Sequence, residues 1–185
     1  MIARCLFALV FGLALAGRAA AAEKPLTIDP AQSRVDIVVK ASMDSFTGQL
    51  NRYEATLTAD AEGKIAGFRL AFQFLDITTG KESRDQAMHK WQETDKHPDG
   101  TFVLASLTPA AEGGFTAFGR LTFHGVTREL KFPVTIARDG PRYAIDGEAA
   151  LDTREFGLPV IRMLALLKVD PIVRIRFHLQ AQPAS

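Results

Sequence analysis

Apolar side chains recur at every second position through most of the chain after residue 30. Val35, Ile37 and Val39 alternate with Arg34, Asp36 and Lys40. Tyr53, Ala55, Leu57 and Ala59 alternate with Glu54, Thr56, Thr58 and Asp60. The same period runs through Phe68–Phe74, Phe115–Phe123, Leu130–Ile136, Tyr143–Leu151 and Val173–Leu179. A strand turns successive side chains to opposite faces, so each segment predicts a strand with one apolar and one wet face. A helix of period 3.6 cannot segregate such a pattern.

Turn chemistry separates the runs. Ala61-Glu62-Gly63-Lys64, Ala111-Glu112-Gly113-Gly114 and Arg138-Asp139-Gly140-Pro141 read as hairpin turns. Strands joined by such short loops are antiparallel. Their apolar faces can be hidden in a two-sheet sandwich or in a closed barrel, which also removes exposed edges. The stretches 64–76, 126–138 and 171–180 are long for a small sandwich. The expectation is therefore an all-β, antiparallel up-and-down β-barrel of about eight strands, of the size that can hold one ligand.

Two segments break the period. Ser83-Arg84-Asp85-Gln86 has capping-box spacing, and Ala87, Met88 and Trp91 then share one helical face. This predicts a short helix over 83–92. The segment Pro159–Leu167 is too apolar for an exposed loop and predicts a second short helix, or a loop tucked against the barrel mouth.

The start of the chain reads as an address. Arg4 precedes an apolar run from Cys5 to Ala16, the length of a signal-peptide core and shorter than the roughly 20 residues a membrane span requires. Ala19–Ala22 offer a cleavage site, so the expected organisation is a signal peptide over 1–22 and one barrel domain over 23–185. The expected location is the periplasm. Cleavage removes Arg4, Arg18 and the only cysteine. A basic excess of one becomes an acidic excess of one, and no disulfide is available in the oxidising compartment. Near-neutral charge argues against nucleic acid, which needs a clustered basic excess.

Several motifs in order resemble the YceI-like family of exported, lipocalin-like proteins associated with polyisoprenoid binding. They are Ile28-Asp29 with Ser33-Arg34-Val35; Ser45-Phe46-Thr47-Gly48; Asp76-Ile77-Thr78-Thr79-Gly80 with Arg84-Asp85; His97-Pro98 with Thr101-Phe102; and Asp152-Thr153-Arg154-Glu155-Phe156-Gly157-Leu158. The most specific is Gly119-Arg120-Leu121-Thr122-Phe123-His124-Gly125-Val126-Thr127. The resemblance runs from about Leu26 to Ala181. His97 stands where the family usually has Tyr, Trp91 in place of a Phe pair, and Lys40 where His is frequent.

Chemical motifs are sparse. The four histidines, His89, His97, His124 and His178, never pair at i, i+2 or i, i+4, so no metal site is expected. Neither Gly-x-Ser-x-Gly nor a phosphate loop occurs, and no catalytic residues or cofactor are expected. The informative set is 13 Phe against one Trp and two Tyr, side chains that suit a dry core or an apolar pocket equally. The resemblance, rather than the alternation, implies a cavity. Its candidate lining is Val39, Phe46, Leu70, Phe72, Phe74, Met88, Trp91, Phe102, Leu121, Phe123, Phe132, Tyr143 and Phe177. The function it implies is an exported, non-enzymatic binding protein for a polyisoprenoid, quinone-like or fatty-acyl chain. No stable membrane insertion is expected after signal cleavage, and a homodimer is compatible with this reading. The alternatives are a structural or stress-response module with a filled barrel, and an enzyme on a small substrate.

Overall fold

The computed structural model describes residues 23–42, 45–163 and 167–184. The expected signal peptide at 1–22 lies outside them. The strands are β1 (Lys24–Ile28), β2 (Arg34–Lys40), β3 (Ser45–Leu50), β4 (Glu54–Ala59), β5 (Ile65–Gln73), β6 (Ile77–Thr78), β7 (Asp99–Pro109), β8 (Phe115–Phe123), β9 (Val126–Asp139), β10 (Arg142–Asp152), β11 (Arg162–Met163), β12 (Leu167–Lys168) and β13 (Ile172–Pro183). Helix α1 spans Glu82–Gln92.

Strands β1, β4, β5, β7, β8, β9, β10 and β13 follow one another around a ring that β13 closes onto β1. Every pairing is antiparallel, and the barrel is the eight-strand up-and-down closure that the alternation predicts. The first three staves are each built from two strands. β13 pairs with β1 from Ile28↔Ala181 to Leu26↔Pro183, and with β2 from His178↔Arg34 to Arg174↔Val38. A 3₁₀ turn at Pro30–Gln32 joins β1 to β2, and the Asp29 carboxylate accepts the Ala31 N–H at its start. β3 and β4 form the next stave, β5 and β6 the third.

One end of the barrel carries the hairpin turns near residues 62, 112 and 140. The other carries α1, the two-residue turn His124-Gly125 and the segments 153–163 and 167–171. His124 and Gly125 have φ of 50° and 71°. Positive φ at both central residues is the turn whose twist matches a tight hairpin, and His is among the residues enriched there.

The helix lies where the sequence predicts it, one residue longer at its start. Its cap differs. Lys81, not Ser83, is the N-cap, and no side chain caps it. Ser83 lies within the first turn, and Gln86 Nε2 instead donates to Glu82 Oε1 at 3.1 Å. The helix is anchored through Asp85, whose Oδ1 accepts from Thr79 N at 2.9 Å and Thr79 Oγ1 at 2.6 Å. The segment after Pro159 is not a second helix. Its β11 and β12 pair antiparallel as a minimal ladder, with Arg162↔Lys168 in register, while residues 164–166 lie outside the described residues. β-pairing keeps 161–163 and 167–169 extended, with Val169 N donating to the Ile161 carbonyl at 3.1 Å.

Candidate functional site

The inner faces of the strands enclose a cavity of about 1000 Å³. Its wall is aliphatic and aromatic from end to end: Ile65 and Leu107 lie deep, Leu70, Leu121, Phe132 and Phe177 at mid-depth, and Phe46, Phe74 and Phe123 toward the α1 end. Polar side chains on the lining are Thr153 and a set at the mouth, Lys81, Ser83 and Arg84 from the start of α1, with Arg162 and Asp170 opposite.

Eleven of the thirteen phenylalanines lie among the described residues and could have filled such a barrel. They do not, because several rings lie against the wall over inward-facing glycines. A Cβ on Gly100 would sit 2.2 Å from Phe72 Cζ, one on Gly119 2.3 Å from Phe102 Cζ, and one on Gly147 2.4 Å from Phe177 Cζ. Each ring occupies the space a neighbouring side chain would take. Gly100 and Gly147 are the direct cross-strand partners of Phe72 and Phe177. The rings then touch one another around the circumference. Phe68–Phe102, Phe102–Phe132 and Phe132–Phe177 have centroids 6.2, 5.7 and 6.0 Å apart, within the range of favourable aromatic pairs. The axis is left open.

Helix α1 covers part of the mouth. Ser83, Arg84, Ala87, Met88 and Trp91 line the cavity, at spacings that share one helical face. Trp91 is half-buried, and its Nε1–H donates to the Pro159 carbonyl at 2.8 Å. That bond joins the helix to the segment across the mouth. The Arg84 guanidinium stacks over Phe46 at 4.2 Å from the ring centroid, a cation–π contact at the rim. Among the described residues, no helix is long and apolar enough to cross a membrane.

Of the residues singled out from sequence, Val39, Phe46, Leu70, Phe72, Phe74, Met88, Trp91, Phe102, Leu121, Phe123, Phe132 and Phe177 line the cavity. Tyr143 does not. It sits at the far end of β10, where its hydroxyl donates to the Gly63 carbonyl at 3.1 Å and Arg138 lies over its ring. The alternation puts it on the right face, but its depth along the strand takes it past the cavity into the packed end. Sequence reasoning passed over the polar rim of Lys81 and Arg162 and the small residues under the rings. Glycines at inward positions of Phe-rich strands were the available signal. A second group also assembles only in three dimensions: Glu93, His97 and His124 converge beside α1, although no two histidines have chelating spacing in sequence.

The YceI-like domain model matches residues 26–181. The chain belongs to the YceI-like family. A UPF0312 protein of Pseudomonas syringae pv. tomato is 25% identical over 170 residues, covering 85% of this chain and 88% of that protein. Among solved structures, Burkholderia cenocepacia BcnA superposes with a TM-score of 0.74 at 23% identity, over 84% of this chain and 100% of that one. A polyisoprenoid binding domain from Saccharophagus degradans, implicated in plant cell wall breakdown, gives 0.60 at 14% identity, over 86% and 98%. The Campylobacter jejuni YCEI protein gives 0.63 at 14%, over 78% and 88%. At these identities the likeness concerns the fold.

Proposed function

We propose that this YceI-like protein is an exported carrier that shields one long-chain lipid in its barrel, with an isoprenoid such as a polyprenyl or quinone tail as first choice and a fatty-acyl chain as second. The observation that carries this reading is the open apolar axis of about 1000 Å³ with its polar groups gathered at the mouth. Burying a methylene is worth roughly 0.8 kcal/mol, so a threaded chain binds tightly with almost no polar contact. Such a site selects by length and width. The rim of Lys81, Arg84 and Arg162 against a single Asp170 leaves a polar headgroup in a hydrated, mildly cationic setting. The Saccharophagus degradans neighbour is a polyisoprenoid binding domain, which supports the same ligand class. Among the described residues the one carboxylate on the lining, Asp170, belongs to the mouth, and the rest of the wall, Thr153 apart, is aliphatic and aromatic beyond that mouth, which supports binding of an apolar chain. In this reading residues 1–22 export the barrel to the periplasm, where a free prenyl chain needs a shield from water.

Mass spectrometry of an organic extract tests this, using protein purified from its native compartment. A long-chain lipid at near one-to-one ratio is the expected result. Repeated empty extracts from folded protein, or a small polar compound in its place, would overturn the proposal.

A further inference from the structure

Glu93, His97 and His124 each place one donor atom within 4.8 Å of the other two. Glu93 and His97 lie four residues apart in the stretch after α1, and His124 comes from the β8–β9 turn. Glu93 is the left-handed residue that ends α1, with φ of 53°. His97 lies in the turn that follows, and His124 opens the β8–β9 turn.

The orientation of His124 is set by the backbone. Its Nδ1 lies 2.8 Å from the Phe156 carbonyl oxygen, which can only accept, so Nδ1 carries the hydrogen. That leaves Nε2 as the nitrogen whose lone pair can bind a metal. It is buried, has no hydrogen-bond partner, and lies 3.8 Å from Glu93 Oε2. An imidazole with one N–H tied to a backbone carbonyl and its other nitrogen free is the arrangement that metal-ligating histidines adopt. The His97 ring packs against it, centroids 4.4 Å apart. Gln92, fully buried, pins the chain at His97: its Nε2 donates to the His97 carbonyl at 2.9 Å, and its Oε1 accepts from Thr94 Oγ1 at 2.7 Å.

We propose that Glu93, His97 and His124 form a site for a divalent transition metal, zinc first, with water in the fourth position. Two imidazoles and a carboxylate suit zinc in tetrahedral geometry at metal–ligand distances of about 2.0–2.2 Å. The His124 ring is held by the Phe156 carbonyl, and His97 is placed by its backbone bonds to Gln92 and Glu93 and by packing on His124. Glu93 supplies the movement that closes the site, since its side chain is 48% exposed and now engages Lys96 Nζ at 2.6 Å. A bound ion ties the C-terminus of α1 to the β8–β9 turn, and through Phe156 to the segment after β10. It clasps the helix at the end opposite its Asp85 anchor. This inference is independent of the lipid reading and stands or falls without it.

The test is titration of the untagged full chain with Zn²⁺ alone, by calorimetry and by competition with a chromogenic chelator. The variants are Glu93→Gln, His97→Gln and His124→Asn, the last chosen because Asn tolerates positive φ. One Zn²⁺ per chain is expected, with affinity roughly tenfold or more weaker in each variant. At one Zn²⁺ concentration the melting temperature should rise in the wild type and rise less in His97→Gln, with far-ultraviolet circular dichroism checking that the variant is folded. Three outcomes each overturn the site. The wild type takes up no stoichiometric Zn²⁺. All three variants retain the uptake. Or Glu93 and His124 prove coupled in stability without metal uptake, which identifies an ion pair only. Lipid content is irrelevant to every outcome.

Discussion

Gly100 is the smallest piece of the molecule with a large consequence. Its missing side chain lets the Phe72 ring lie against the wall, and an added Cβ would meet that ring at 2.2 Å. The obstacle is a side chain with room to turn, so Gly100→Ala is expected to fold and to swing Phe72 toward the axis. Overpacking of this kind costs about 1–3 kcal/mol. Urea unfolding should show that loss, and the lipid extracted from the variant should be shorter than from the wild type. Trp91 acts at the same scale on the mouth. It is half-buried, lines the cavity and holds Pro159, which makes it a latch on the rim rather than a plug in the core. Trp91→Phe keeps most of the ring and removes the N–H. Its expected stability cost is about 1 kcal/mol, and stopped-flow release of a fluorescent fatty acid should quicken several-fold. An unchanged release rate would make the latch irrelevant to exchange.

At the scale of elements, the longest seam is the one between β10 and β13, in register from Tyr143↔Ala181 to Asp152↔Ile172. On its outer face Glu148 accepts from Arg176 Nε at 2.6 Å and Arg174 Nη1 at 2.7 Å. These hydrogen bonds, Arg176 first and Arg174 second, hold the Glu148 carboxyl below its ordinary range. A carboxyl whose pKa is lowered by folding adds stability that is fully present above its unfolded value and is lost as pH falls through the folded one. Glu148→Gln should therefore be less stable than the wild type at neutral pH, and the difference should shrink to nothing in acid below that folded value. Denaturant curves at several pH values check this. Because the group faces water, added salt should weaken the effect at neutral pH. Helix α1 is the other element with a distinct role. It is bound to the barrel by side chains, through Asp85 to Thr79 and Trp91 to Pro159, rather than by a strand ladder.

The whole molecule is a closed wall around an unfilled axis. Closure gives every stave two neighbours over part of its length and leaves β6 at Ile77–Thr78 as the free end beside the helix. Stability then comes from the wall and from whatever occupies the axis. A ligand that binds only the folded state stabilises it by RT ln(1 + [L]/Kd), about 2.7 kcal/mol at a hundredfold excess over Kd. Delipidated protein is therefore expected to keep its far-ultraviolet circular dichroism and to melt several degrees lower. Adding back the extracted lipid should restore the melting temperature. A melting temperature insensitive to delipidation would show an axis that contributes nothing to stability.

Read from sequence alone, the alternation of Val35-Ile37-Val39 through Val173-Ile175-Phe177 determined the strands and their inward faces, because a period of two is a local property of the backbone. The turns at 61–64, 111–114 and 138–141 determined that neighbours in sequence are neighbours in the wall. Ala87, Met88 and Trp91 announced a helix with one apolar face. The capping box over Ser83–Gln86 failed because the chain enters the helix from Thr79 and Gly80, a direction set by the Asp85 contact. Pro159–Leu167 was ambiguous because apolarity without period fits several conformations. Whether the Phe rings fill the axis was decided by tertiary structure, since it depends on which glycine each ring meets across the ladder. Depth decided Tyr143, which shares a face with the lining but ends at the packed end. Convergence decided Glu93, His97 and His124, since the β8–β9 turn reaches α1 only once the barrel has closed.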